Sequence, residues 1–192
     1  ARGRFMQQAC DGNPGTMFSI IGLEDEVVEA ACGRVREDGG RVWPANYNSP
    51  GQLVISGEVE AAKRAATLCE EAGARRAIGL DVAGAFHSPL MAPAADRLTR
   101  VLEECAFSEP AYPVVANVRG EPASEPDRIR QSLAEQVTSP VRWTECIHWC
   151  LENAGSRCME IGPGRVLRGL LRRIEPEADC ISINTPEHVK TA

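Results

Sequence analysis

The sequence predicts a mixed α/β protein into which a compact unit of strand-helix-strand-strand-helix-strand order is inserted. Two observations support this fold class. Apolar runs of strand length alternate with longer segments in which apolar residues recur every three or four positions, the spacing of an amphipathic helix. Glycine and proline, of which the chain contains 17 and 13, mark the ends of many of these segments. Strands that alternate with helices are typical of a parallel sheet covered by helices.

The first half of the chain contains the inserted unit. Its predicted helices are 24–37 and 58–73, and its predicted strands are 17–23, 41–48, 52–57 and 75–82. Acidic residues occupy the first turn of the first helix, the turn Ser49-Pro50-Gly51 separates the two middle strands, and Gly73 ends the second helix. The resulting β-α-β-β-α-β order is that of the ferredoxin-like fold. We expect residues 16–82 to form this small subdomain.

The flanking residues, 1–15 and 83–192, are predicted to form the larger part of the fold. Helices are predicted at 89–107, 127–137, 140–155 and 165–174, and strands at 112–118, 157–164 and 180–184. The sequence opens at Ala1 without a methionine and within a segment of helical pattern. We therefore expect that the residues preceding Ala1 either belong to the natural chain or lie in another chain.

Composition argues against several classes of function. A net charge of −6 does not suit a general nucleic-acid-binding protein, which needs a basic surface. No apolar run approaches the roughly 18 residues of a membrane span, so we expect no membrane partner. The eight cysteines form no CxxC pair, and we expect no metal site. Most of them occupy apolar helix positions, so we interpret them as buried free thiols of a reducing compartment, the cytoplasm.

His87 is the main candidate for chemistry among the three histidines. It follows a predicted strand and precedes a predicted helix, and catalytic groups of α/β proteins gather at such strand ends. Its ordinary pKa near 6.5 lets it accept and return a proton at neutral pH, and the flanking Gly84 permits tight backbone geometry. The competing interpretation is a histidine that is merely packed into a loop.

Three other segments have both functional and structural interpretations. The turn EIGPG (160–164) resembles an anion-binding loop but lacks the P-loop spacing and lysine, and a structural turn is favoured. The adjacent Arg75 and Arg76 could hold a phosphate-bearing ligand or simply be solvated. The segment NYNSPGQ (46–52) offers amide side chains, although turn chemistry alone explains its Ser-Pro-Gly.

Six segments together resemble the family of malonyl-CoA:acyl-carrier-protein transacylases and the related acyltransferase domains of polyketide synthases. In order they are RGRFMQ (2–7), NYNSPGQLVISG (46–57), GAFHSPLM (84–91), PVVANV (113–118), QVTSPVRWT (136–144) and EIGPGRVLRGLLRRI (160–174). The resemblance covers nearly the whole chain. It implies an α/β-hydrolase-like core with an inserted ferredoxin-like subdomain and an active site between them. It also implies malonyl transfer from malonyl-CoA to the phosphopantetheine thiol of acyl carrier protein, in fatty-acid biosynthesis, without a metal or redox cofactor.

The resemblance assigns roles to individual positions. His87 matches the catalytic histidine, Gln136 the residue whose backbone carbonyl orients it, and Arg2 the arginine that binds the malonyl carboxylate. The other matches are Phe86, a bulky residue that would crowd a 2-methyl group, and five residues expected at the coenzyme A and carrier-protein surface or in the cleft: Arg75, Arg76, Asn46, Asn48 and Gln52. The side chain of Gln136 is expected to matter less than its position.

One departure from the family pattern is important. The family nucleophile is a serine in a G-x-S-x-G motif upstream of the arginine, and no such motif occurs in the 192 residues. The chain is therefore expected to be the C-terminal two-thirds of the enzyme and to be inactive alone. The alternatives are a non-catalytic module that binds carrier protein and an acyltransferase for another acyl-CoA in polyketide synthesis.

Overall fold

The computed structural model describes residues 1–190 and confirms the mixed α/β class. Helix α1 (Arg2–Gly12) precedes the inserted unit, which consists of β1 (Gly15–Ile21), α2 (Asp25–Glu37), β2 (Val42–Ser49), β3 (Gln52–Glu58), α3 (Val59–Glu71) and β4 (Arg76–Gly79). The remaining elements are α4 (Ala92–Glu103), β5 (Val114–Ala116), β6 (Glu121–Ala123), α5 (Pro126–Glu135), α6 (Trp143–Ala154), β7 (Arg157–Ile161), α7 (Val166–Ile174) and β8 (Asp179–Ile183). Short 3₁₀ turns lie at Pro89–Met91 and Pro186–Lys190.

The inserted unit forms one antiparallel sheet with the strand order β2-β3-β1-β4. Strand β3 lies between β1 and β2, which α2 connects, and this is the split arrangement of the ferredoxin-like fold. Helices α2 and α3 cover one face, and their buried side chains share a core with the sheet that includes Val28, Cys32, Leu53, Ile55, Ala62 and Cys69. Small alanines on the buried face of α3 let this helix approach the sheet closely.

A second core joins the start of the chain to the region after the inserted unit. Phe5, Met6, Ala9 and Cys10 lie on one face of α1 and pack against Met91, Ala94, Leu98 and Val137. The spacing of the four α1 residues is that of a helix with one buried face, which the opening segment predicted. This packing leaves the opposite face of α1 exposed.

The predicted parallel sheet is only partly correct. Within residues 1–190, β7 and β8 are the parallel pair, and α6 and α7 pack on it through Ile147 and Leu171. Strand β5 instead pairs antiparallel with β6, which the sequence did not predict. The predicted strand 112–118 is shortened because Pro113 has no N–H to donate and because Gly120, with φ of +69°, closes a turn.

The strand predicted at 75–82 is also too long. Strand β4 ends at Gly79, and the last bond to β1 is the one that Leu80 N donates to Met17 O at 2.9 Å. Val82 N then donates to Leu80 O, so the chain turns away from the sheet toward α1. The boundaries predicted for the subdomain, 16 and 82, stay a prediction.

All eight cysteines lie within the described residues and are free thiols. Five are buried, Cys150 and Cys158 are half-buried, and Cys105 is exposed. No helix within residues 1–190 combines the length and the apolar character needed to cross a membrane.

The close pairing of β2 with β3 can be tested with a matched pair of glycines, Gly57 in β3 and Gly33 in α2. A Cβ atom at Gly57 would lie 2.3 Å from the carbonyl oxygen of Arg41, whereas at Gly33 the nearest atom is 3.9 Å away. We expect Gly57→Ala to lower the free energy of unfolding by about 1–3 kcal/mol, because neighbouring backbone must shift. We expect Gly33→Ala to raise it by about 0.5–1 kcal/mol, because alanine favours the helix. Urea unfolding measures both, and equal effects would contradict the described register of β2 and β3.

Candidate functional site

An open cleft of about 470 Å³ lies between α1, the inserted sheet and the loop that contains His87. Its lining comprises Arg2, Gly3, Met6, Gln7, Met17, Asn46, Leu80, Phe86 and His87. Four of the residues that the sequence singled out, Arg2, Asn46, Phe86 and His87, therefore meet in one place although they are far apart in the chain. The polar groups lie beside an apolar wall formed by the methionines and Leu80.

Helix α1 positions Arg2. Phe5 and Met6 anchor the helix in the second core, and the guanidinium of Arg97 on α4 stacks on the Phe5 ring at 4.3 Å. Arg2 is exposed in the first turn, and the guanidinium faces the cleft together with Gly3 and Gln7. None of the ion pairs described within residues 1–190 uses Arg2, so its charge is available to an anion in the cleft.

The loop that carries His87 is fixed by close packing. A Cβ atom at Gly84 would lie only 2.4 Å from the Cys10 sulfur of α1, so a larger residue there would have to displace the Cys10 side chain. The Ser88 hydroxyl donates to the carbonyl of Ala85 at 2.7 Å and accepts from Leu90 N, which caps the following 3₁₀ turn. Both contacts hold the loop at the end of the segment that leaves the sheet.

His87 itself adopts a left-handed backbone conformation, with φ of +57°. The unusual backbone angle of this loop thus belongs to the histidine and not to the flanking Gly84. Non-glycine residues rarely occupy this region, and such positions concentrate at functional sites where surrounding structure enforces them. The conformation turns the imidazole into the cleft, where its ring is half-buried.

The imidazole of His87 is oriented by the backbone at the end of α5. Its Nδ1 lies 3.0 Å from the carbonyl oxygen of Gln136. Because a carbonyl only accepts, Nδ1 carries the proton and Nε2 is the basic nitrogen of the neutral ring. This is the arrangement in which the third member of a catalytic triad orients a histidine, with a backbone carbonyl in the place of a carboxylate.

The electrostatic surroundings keep His87 neutral at neutral pH. Burial lowers the pKa of His87 below its ordinary value, and the nearby Arg2 guanidinium acts in the same direction. Hydrogen bonding to the backbone of Gln136 and Ser139 raises the pKa but does not offset these two effects. The ring is therefore in the form that accepts a proton.

The other predicted residues lie elsewhere. Gln52 and Arg76 are both register partners of Ile21, so they lie near one end of the sheet, where Arg75 N also donates to Ile21 O. Asn48 immediately precedes the turn at that end, and Gln52 accepts a hydrogen bond from Arg173 of α7. None of these four residues is among the described residues that line the cleft. The expectation that Asn48 and Gln52 line the cleft together with Asn46 is therefore not met. The register of β2 on β3 shifts between Tyr47 and Ser49, at the position of Asn48.

The EIGPG turn has a structural role, as favoured from its sequence. Gly162 and Gly164 adopt positive φ angles of +134° and +99°. The carboxylate of Glu160 accepts hydrogen bonds from Leu167 N at 2.9 Å and from Arg168 N at 3.3 Å. The Glu160 side chain thus occupies the N–H groups at the N-terminus of α7, and these groups are not available to bind a phosphate.

The apolar wall of the cleft and the turn after Gln136 were not predicted from the sequence. Met17 and Leu80 come together because Leu80 N, directly after β4, donates a hydrogen bond to Met17 O of β1. The apolar pattern of each strand alone does not specify this pairing. The polar contacts within 136–140 carry no sequence signal beyond the family resemblance itself.

The chain is similar in sequence and fold to proteins of one known family. The family described as "Acyl transferase domain" matches residues 1–179. A malonyl CoA-acyl carrier protein transacylase of Bacillus subtilis is 39% identical over 191 residues, which is 100% of this chain and 60% of that protein. A structure of an acyl carrier protein S-malonyltransferase from Vibrio cholerae has a TM-score of 0.94 and 43% identity, with 99% of this chain and 62% of that chain covered.

A third relative includes a partner. It is a malonyl-transacylase solved in complex with its type II PKS acyl-carrier protein, with a TM-score of 0.93 and 44% identity over 100% of this chain and 62% of that one. The chain thus spans about three-fifths of the length of these relatives. The match over residues 1–179 and the shared fold carry one conclusion: the chain belongs to the acyl transferase domain family.

Proposed function

We propose that this chain supplies the base and the carboxylate-binding arginine of a malonyl-CoA:acyl-carrier-protein transacylase, which serves fatty-acid biosynthesis. One observation carries the proposal: the imidazole of His87, with Nδ1 bonded to a carbonyl, and the guanidinium of Arg2 line the same cleft. Relatives named for malonyl transfer to acyl carrier protein support the choice of reaction. The alternative of a non-catalytic module has no specific observation in its favour.

In the first half-reaction, the nucleophile is a serine hydroxyl, which the family carries in a segment upstream of Arg2. Nε2 of His87 accepts the serine proton as the oxygen attacks the thioester carbonyl of malonyl-CoA. When the tetrahedral intermediate collapses, the C–S bond breaks and the imidazolium returns the proton to the thiolate of coenzyme A. The product is a malonyl ester of the serine.

In the second half-reaction, the same nitrogen accepts the proton of the phosphopantetheine thiol of the carrier protein. The thiolate attacks the ester, and the imidazolium protonates the departing serine oxygen. A base that is neutral at rest suits both steps, and the burial that lowers the pKa of His87 provides it. No metal or redox cofactor takes part in this sequence.

Two residues of the cleft would select the acyl group. The planar guanidinium of Arg2 can bind the free carboxylate of malonate through two parallel hydrogen bonds. The ring of Phe86, which lines the cleft beside His87, would crowd a methyl group at C2 of the substrate. Steric discrimination of this kind contributes about 1–3 kcal/mol per methyl group.

The exposed Arg75 and Arg76, with Asn48 and Gln52 near the same sheet end, would contact the negatively charged coenzyme A and carrier protein. Such a local basic surface is useful on a chain with a net charge of −6. We also propose a cytoplasmic location, which the eight free thiols support because they persist in a reducing compartment.

The role proposed for Arg2 can be tested by substitution. We expect Arg2→Gln to weaken binding of malonyl-CoA by roughly 10- to 100-fold, because a charge-assisted hydrogen-bonded pair contributes about 1.5–3 kcal/mol. Acetyl-CoA, which has no free carboxylate, should bind with unchanged affinity. Titration calorimetry on the 192-residue chain measures both ligands.

The matched control is Arg4→Gln, which removes an exposed arginine of the same helix that is absent from the described lining of the cleft. It should leave both affinities unchanged. Equal weakening of malonyl-CoA and acetyl-CoA by Arg2→Gln would refute the carboxylate-binding role.

The absence of the serine motif from these residues can be tested as well. Because no G-x-S-x-G motif occurs in the sequence, we expect the 192-residue chain to form no malonyl ester with malonyl-CoA and to transfer no malonyl group to carrier protein. Intact-mass spectrometry and a thiol-release assay measure the two events. Sustained turnover by this chain would mean that one of its own residues is the nucleophile and would overturn the proposed division of roles.

A further inference from the structure

The carbonyl that orients His87 is available because of where it lies in a helix. Gln136 is the C-terminal capping residue of α5, and the last carbonyls of a helix have no partner within it. Those of Ala134 and Glu135 accept from the backbone of Val137 and Thr138 in the following turn. The carbonyl of Gln136 instead accepts from His87 Nδ1 at 3.0 Å, so the negative end of the α5 dipole faces the imidazole.

The side chain of Gln136 closes the turn that follows. Its Nε2 donates to the carbonyl of Ser139 at 2.9 Å and to that of Pro140 at 3.2 Å. A side-chain amide has two N–H groups, so both are used, and because both partners are acceptors the orientation of the amide is fixed. The 3.5 Å separation of Nε2 from His87 Nδ1 is then a packing contact, since Nδ1 has already donated its proton to the backbone.

The same turn reaches the other side of the cleft. Val141, directly after Pro140, donates its N–H to Ala45 O at 2.8 Å and accepts from Tyr47 N at 2.9 Å. These bonds form a parallel bridge to Asn46, one of the residues that line the cleft. The segment 136–141 therefore contacts the base at one end and the strand that presents Asn46 at the other.

We propose that the side-chain amide of Gln136 is a positioning group, which closes the turn 136–140 and thereby holds the carbonyls of Gln136 and Ser139 against the ring of His87. This proposal differs from the expectation that the side chain of Gln136 matters less than its position. The proposal deepens the proposed function, in which His87 is the base. The importance of Gln136 for catalysis rests on that proposed function. The turn itself contains no titratable side chain, and Arg2 of α1 is the charged group that acts on the ring.

The experiment follows the ring directly by NMR titration of the 192-residue chain, labelled with ¹⁵N and ¹³C in histidine. The chain has only three histidines, so His148 and His188 serve as internal references. The test variant is Gln136→Met, which has a similar length but no N–H donors. The matched control is Gln131→Met, which removes an exposed amide of the same helix that bonds only to Glu135.

We expect Gln136→Met to lower the pKa of His87 by up to about one pH unit, because hydrogen bonds to carbonyls favour the charged ring and would be weakened. The ¹⁵N shifts should also show that the neutral ring is no longer confined to the form protonated at Nδ1. Gln131→Met should change neither property. Circular dichroism establishes that each variant is folded.

A second variant covers the case in which Gln136→Met does not fold. Gln136→Asn keeps the amide but is one methylene shorter, so it cannot span both carbonyls, and it should shift the pKa and the tautomer in the same direction. Folded variants that keep the pKa and the ¹⁵N shifts of the parent chain would overturn the proposal, even if they are less stable. An equal change in Gln131→Met would overturn it as well. The titration needs neither turnover nor bound substrate. Equal weakening of malonyl-CoA and acetyl-CoA by Arg2→Gln, or sustained turnover by this chain, would therefore refute the proposed function and leave this result standing.

Discussion

The hydrogen bond between Nδ1 of His87 and the carbonyl of Gln136 is the interaction on which the candidate site depends. It determines which ring nitrogen is basic, and it joins the loop after β4 to the end of α5, 49 positions later in the chain. The left-handed backbone of His87 is unfavourable by itself, by about 1–3 kcal/mol for such conformations in general. The packing of Gly84 on α1 and the cap formed by Ser88 supply the surrounding order that maintains it.

The cleft is lined by two parts of the fold, each of which has its own hydrophobic core. The inserted sheet has its own core under α2 and α3, and it contributes Met17 and Asn46 to the cleft. Helix α1 contributes Arg2 and is anchored by the second core on α4. The segment after α5 links the two parts, because Val137 belongs to the second core and Val141 forms backbone hydrogen bonds with β2.

Local patterns predicted the inserted unit because each of its elements is specified by its own residues. Apolar runs of strand length, an acidic first helical turn and a Pro-Gly turn were sufficient for the β-α-β-β-α-β order. The pairing of β5 with β6 was missed because β6 is only three residues long and contains Pro122, which argues against a strand. His87 was a candidate from its position after a predicted strand, and Arg2 and Phe86 were reached through the family resemblance. The contributions of Met17 and Leu80 depend on strand register. The amide contacts of Gln136 depend on a turn of five residues that no periodicity describes.

A helix end has a physical advantage over a carboxylate as the partner of this base. The cleft contains Arg2, whose guanidinium would pair with a nearby buried carboxylate. The guanidinium would then not be available to bind a substrate anion. A carboxylate would also repel the malonyl carboxylate that the proposed reaction brings to the same cleft. The carbonyls at the end of α5 orient the ring and favour its charged form in the transition state without adding a net charge. A base oriented by backbone dipoles is therefore compatible with a guanidinium that stays available to an anionic substrate.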